Sequence, residues 1–154
     1  MSSRTILFVV GGCGAAALVA AALFFSLQNT PDANLIQSTQ TILIDGTSLE
    51  VAIADTDSER GQGLSDVTEL EENTGLLFEF QEDGQHSFWM KDMLFSIDML
   101  WITANGAVVH VEHSVSPDTF PQSFTSPTPA RYVLEVPAGF AEQHGIGVGS
   151  KVPF

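Results

Sequence analysis

The stretch Thr41-Ile-Leu-Ile-Asp-Gly-Thr-Ser-Leu-Glu-Val-Ala-Ile53 decides the fold class of this chain. Two apolar segments flank Asp45-Gly46, a dipeptide that tolerates the positive φ values of a two-residue hairpin turn. In the second segment Leu49, Val51 and Ile53 alternate with Glu50 and Ala52, so one strand face is apolar and has to be covered.

The residues that follow supply the cover. Thr56-Asp57-Ser58-Glu59 has capping-box spacing and starts a short helix, which Gly61 weakens and Gly63 ends. Strands are expected over residues 76–80, 86–91, 97–103, 108–115 and 131–136, with Asn105-Gly106 as a second tight turn. A short hairpin through residues 92–96 is expected to set strands 86–91 and 97–103 side by side. Residues 116–130 hold four prolines and no apolar period, which predicts a long surface loop. A brief helix over 138–144 stops at Gly145, and residues 148–152 close the domain. Many short strands with two short helices imply a β-rich α+β fold, either a curled sheet or a partial barrel.

Working back toward the N-terminus, residues 28–40 are polar, carry Pro31 and lack periodicity, as a tether would. Residues 6–27 are uncharged and almost wholly apolar, long enough as a helix to cross roughly 30 Å of hydrocarbon. Only Arg4 precedes this run, and no Lys or Arg follows before Arg60, so residues 1–5 are expected in the cytoplasm. Residues 41–154 are then an extracytoplasmic domain behind one transmembrane anchor. Val10-Gly-Gly-Cys13 loosely resembles a lipoprotein cleavage site. The apolar core before it is short, however, and the run continues past Cys13. Cleavage by an ordinary signal peptidase within residues 20–26 is a second alternative to the uncleaved anchor.

The chain has 19 acidic residues against five Lys and Arg, a formal net charge of −14. Nucleic acid and anionic headgroups would repel such a domain, so no nucleic-acid partner is expected. The lone cysteine, Cys13, lies inside the apolar run, leaving the outer domain without a disulfide.

The densest group of candidate functional residues runs from His86 to Asp98. Asp98 shares a strand face with Leu100 and Ile102, and a carboxylate there needs a partner. Lys91 is the obvious one. Their pair either fixes strand register or forms the polar floor of a ligand pocket walled by Trp89 and Trp101. Phe120 and Phe124, in the proline-rich segment, either form an apolar lid over that region or pin the segment to the core. Arg131 would hold a carboxylate, from a ligand or from the domain's own surplus of acids. In His110-Val-Glu112-His113 the first His and the Glu share a strand face while His113 points toward the core, too few ligands for a metal. No metal or other cofactor is expected, and no nucleophile dyad is visible.

Several motifs occur together in order: Thr56-x-x-Glu-Arg-x-x-Gly-Leu64, Gly75-Leu-Leu-Phe-x-Phe80, Ser87-Phe-Trp-Met-Lys91, Ile97-Asp98 and Ala130-Arg-Tyr-Val-Leu-Glu-Val-x-Ala-Gly139. Together they resemble the domain of unknown function 192 family, over about residues 48–153. That resemblance implies a compact β-rich domain, often behind a signal peptide or anchor, and brings no activity with it. Ser65, Asp92-Met93 and Ser96 depart from the family's usual Met, Asn-Thr and Pro. The function expected is a membrane-tethered extracytoplasmic module binding a small polar ligand or an envelope component. A structural role in the envelope is the alternative. A hydrolase using Asp98 or Glu135 is the third reading.

Overall fold

The computed structural model describes residues 39–154. The expected anchor, Cys13 and all but the end of the expected tether lie outside the described residues. Strands β1 (Thr39–Ile44) and β2 (Thr47–Ala54) form the hairpin. Asp45 and Gly46 make its turn at φ 48° and 90°, and Ile44 pairs with Thr47. This local chemistry sets the register, which buries Ile42, Ile44, Leu49 and Val51.

Helix α1 (Asp57–Gln62) begins at the expected box. The Thr56 hydroxyl accepts from the Glu59 amide at 3.2 Å, and the Glu59 carboxylate accepts from the Thr56 amide at 3.0 Å. A cap of this kind contributes about 1 kcal/mol. Gly63, at φ 52°, ends the helix, and a Cβ there would stand 3.3 Å from the Phe78 ring.

The remaining elements are β3 (Thr74–Gly84), β4 (Ser87–Trp89), β5 (Ile97–Ile102), β6 (Val108–Val115), a single 3-10 turn (Pro117–Thr119), β7 (Ser123–Thr125), β8 (Ala130–Pro137) and α2 (Phe140–Gln143). Six strands make one sheet in the order β1-β2-β3-β8-β5-β6, and β4 and β7 make a separate two-stranded ribbon. Strand β3 runs parallel to β2, with α1 in the connection, and every other neighbour in the sheet is antiparallel. Since β1 and β6 remain its edges, the curled sheet is open and does not close into a barrel.

The expected pairing of strands 86–91 and 97–103 is not formed. Both hydrogen-bonding edges of β5 are occupied, by β6 and β8, while β4 pairs with β7. The segment after β4 is tied elsewhere: the Ser65 hydroxyl donates to the Lys91 carbonyl at 3.0 Å, and the Asp66 amide to the Asp92 carbonyl at 2.8 Å. The partner strand β7 comes from the proline-rich stretch expected to be only loop.

Strand alternation gives the sheet two apolar faces. Leu77, Leu100, Ile102, Leu134 and Val136 lie on one, covered by Phe140, Ala141, Ile146 and Val152. Leu76, Phe78, Met99, Trp101 and Val133 lie on the other, covered by Leu64, Met90, Met93 and Phe124. Complete burial of a side chain this size contributes roughly 1.5–3 kcal/mol. The second face also carries a charged residue type at its centre.

Candidate functional site

In β8 the run Tyr132-Val-Leu-Glu-Val136 sends Leu134 and Val136 to the first face, and with Val133 it sends Glu135 to the second. Glu135 stands between Leu76 of β3 and Met99 of β5, in the middle of the sheet. It is only 4% exposed, and its Oε2 has no hydrogen-bond partner among the described residues. Burial pushes its carboxyl up from the ordinary carboxylate range to about 8, so the group holds its proton at neutral pH. A buried polar atom left unpaired costs on the order of 1–3 kcal/mol, and packing alone gives no return for that cost.

Glu135 lines a cavity of about 300 Å³ between the second face, the end of α1 and β4. Phe78, Phe80 and Phe88 are its aromatic walls, and Gly63 and Leu64 close the α1 side. The Phe88 ring meets the edges of Phe78 at 4.8 Å and Trp101 at 6.1 Å, so an aromatic lattice holds the wall in place. His86 stacks on Phe80 at 3.5 Å, nearly parallel, and its Nε2 is buried without a partner. Burial holds its imidazole below the ordinary histidine range, so it is neutral near pH 7. Two residues lining the cavity, Glu135 and His86, therefore each carry a buried polar atom with no hydrogen-bond partner among the described residues.

The cations at the cavity are already engaged. Arg60 donates to the Asp55 and Glu79 carbonyls and to the Asp57 carboxylate at 2.6 Å, with its guanidinium carbon 5.3 Å from the Phe80 centroid. Lys91 is half-exposed and lies 3.7 Å from Asp92.

Among the residues singled out from sequence, Trp89 and Lys91 line the cavity. Trp89 is half-exposed and meets Phe120 at 5.8 Å, while Phe124 is buried in the second core. Trp101 is fully buried beneath Phe88, with its indole N–H donating to the His86 carbonyl at 3.1 Å. It supports the wall and does not line the space. Arg131 pairs with Asp83 at 2.8 Å.

Asp98 requires a correction: it makes no pair with Lys91. It faces the first core, where its carboxylate accepts the amides of Ser114 at 2.7 Å, Gly139 at 3.1 Å and Ala141 at 2.9 Å. Those bonds dock the start of α2 onto the sheet. The Ser114 amide is free to reach it because β6 is irregular there, with Ser114 at φ 48° and the register slipping opposite residues 97–99. The same irregularity turns His113 outward to solvent, against the expectation from simple alternation. His110 bonds Glu112 at 2.9 Å. Among the described residues no three metal-ligating side chains are grouped.

Sequence reading included His86 and Phe88 in its densest candidate group without giving either a role, did not single out Phe78 or Phe80 as cavity walls, and gave Glu135 only a secondary place. An acid at a core-facing position between Leu134 and Val136 was the available signal for Glu135.

Fold and site together define an open-sheet, β-rich domain with an aromatic-walled cavity lined by a buried acid, Glu135. The chain belongs to the domain of unknown function 192 family (DUF192, described as "Uncharacterized ACR"), whose family model matches residues 40–154. Two crystal structures are similar. One, from Sinorhizobium meliloti 1021 and provisionally described as a transcription regulator, is 28% identical with a TM-score of 0.68, covering 75% of this chain and 95% of that one. The other, a protein of unknown function from Novosphingobium aromaticivorans DSM 12444, is 23% identical with a TM-score of 0.74, covering 81% of this chain and 90% of that one, and it speaks to the fold alone. No curated protein matches the chain.

Proposed function

We propose that this chain is a membrane-tethered, extracytoplasmic module that binds a small ligand in the cavity above Glu135. The tether and its orientation rest on the uncharged run at residues 6–27 and the single preceding Arg4. The binding reading rests on one observation: Glu135, a buried acid with an unpartnered carboxyl oxygen, lines a cavity of about 300 Å³ walled in part by aromatic rings. That volume is at the small end of ligand pockets, and the lining combines aromatic rings with polar and charged side chains that can fix a ligand's orientation.

The other readings have less support. A hydrolase would have to work with Glu135, since the Asp98 carboxylate is fully engaged on the opposite face. A purely structural domain gives no reason for an unpaired acid in its core. The Sinorhizobium protein is described as a transcription regulator; direct binding to nucleic acid by this chain is opposed by its net charge of −14.

The test is a thermal-shift screen of the full chain against amino acids, amines, sugars and envelope fragments, run beside Trp89→Ala. Trp89 is a half-exposed wall residue, so this variant should fold. Binding predicts at least one compound that raises the parent's melting temperature by several degrees and the variant's by less. A flat response to every class would end the proposal.

A further inference from the structure

Resting on that binding reading, we propose that the ligand class is a small primary amine, held as its ammonium ion against the Glu135 carboxylate. The carboxyl group is in place and unused: Glu135 lines the cavity, and its buried Oε2 makes no hydrogen bond among the described residues. Among the described residues no Lys or Arg pairs with Glu135. Arg60 is fixed by two carbonyls and Asp57, and Lys91 lies by Asp92, so both cations lining the cavity are turned to other partners.

The surroundings suit a cation that can donate hydrogen bonds. Phe78, Phe80 and Phe88 supply aromatic surface, which attracts cations through the ring quadrupole. A primary ammonium has N–H donors for the Glu135 carboxylate. A quaternary ammonium has none. A carboxylate ligand would bring a second acid beside Glu135, and a hydroxyl would leave the acidity of the group unused. The chain's charge of −14 also draws cations toward it.

Proton balance follows from the state of the empty cavity. Glu135 is protonated there, so capture of R–NH3+ sends that one proton to solvent and leaves a carboxylate–ammonium pair. Arg60, His86 and Lys91 are the other titratable groups lining the cavity. Affinity should rise about tenfold per pH unit up to the carboxyl's own titration, level off, and fall once the amine loses its proton.

The probes are benzylamine, benzyl alcohol and benzoate: one shape as a cation, a neutral molecule and an anion. They are titrated calorimetrically into the full chain in nonionic detergent, against detergent blanks. Expected are at least tenfold tighter binding of benzylamine than of either analogue, and release of about one proton, read from the dependence of the heat on buffer ionisation. Glu135→Gln should lower benzylamine affinity at least tenfold and abolish the release. Should that variant not fold, proton release by the parent alone decides. Equal or tighter binding of the alcohol or benzoate, or amine binding without proton release, overturns the ligand class and leaves the binding reading standing. If none of the three binds, the amine class also falls, and a flat thermal-shift screen would then remove the binding reading with it.

Discussion

Asp98 and Glu135 are both buried acids on adjacent strands of one sheet, and they have opposite fates. Asp98 pairs with Val136 across the ladder and Glu135 with Met99, so a one-residue offset places them on opposite faces. On the first face three backbone amides converge on Asp98. On the second, Glu135 meets Leu76, Met99 and a cavity, with one oxygen unpaired. A buried carboxylate that collects its hydrogen bonds is part of the scaffold. One left unpaired at a cavity weakens the fold and is available to something outside it.

The largest way to break this contrast is pH. Glu135 has a folded-state value of about 8 against an ordinary 4.5. Its stabilising contribution is therefore complete below 4.5, lost progressively as pH rises to about 8, and flat above. At about 1.4 kcal/mol per unit this sums to roughly 5 kcal/mol. Urea unfolding of the parent and Glu135→Gln across that window should show the parent losing stability relative to the variant. Parallel curves would mean that Glu135 does not titrate as its burial requires.

Removing the satisfied acid should be nearly as costly at a single pH. Asp98→Ala leaves three buried or half-buried amides without an acceptor and should destabilise by about 3–5 kcal/mol. Hydrogen exchange should locate the loss at residues 114 and 139–141. A change below about 1 kcal/mol would show that water replaces the carboxylate.

The unpaired acid predicts the opposite sign. Glu135→Leu at pH 7 should stabilise by about 1–3 kcal/mol, since it exchanges an unsatisfied polar group for an apolar one of similar size. Destabilisation of the same magnitude would point to an internal partner for the carboxyl. The smallest expected effect belongs to Trp89→Ala, within about 1 kcal/mol in stability because the side chain is half-exposed, yet measurable in ligand binding.

Legibility followed distance along the chain. Asp45-Gly46 and the Thr56–Glu59 box were readable because each is set within a few residues, the first by the positive φ values that let Ile44 pair with Thr47 and the second by its reciprocal hydrogen bonds. The family motifs were equally plain, and the family match covers residues 40–154. The pairing of β4 was not, because residues 92–96 do not form a tight hairpin and the competing partner lies at residues 123–125, within a proline-rich segment. The Lys91–Asp98 pair failed for a related reason. Asp98 finds three donors in Ser114, Gly139 and Ala141, which only the folded sheet and α2 bring together.

By itself the sequence determined the β-rich class, the first hairpin, the capped helix and the alternation that gives β2 its apolar face, since these depend on backbone chemistry over a few residues. Tertiary structure alone decided which acid is satisfied and which is not. Donors for a buried carboxylate come from wherever the chain folds back, and a cavity exists only between elements already packed.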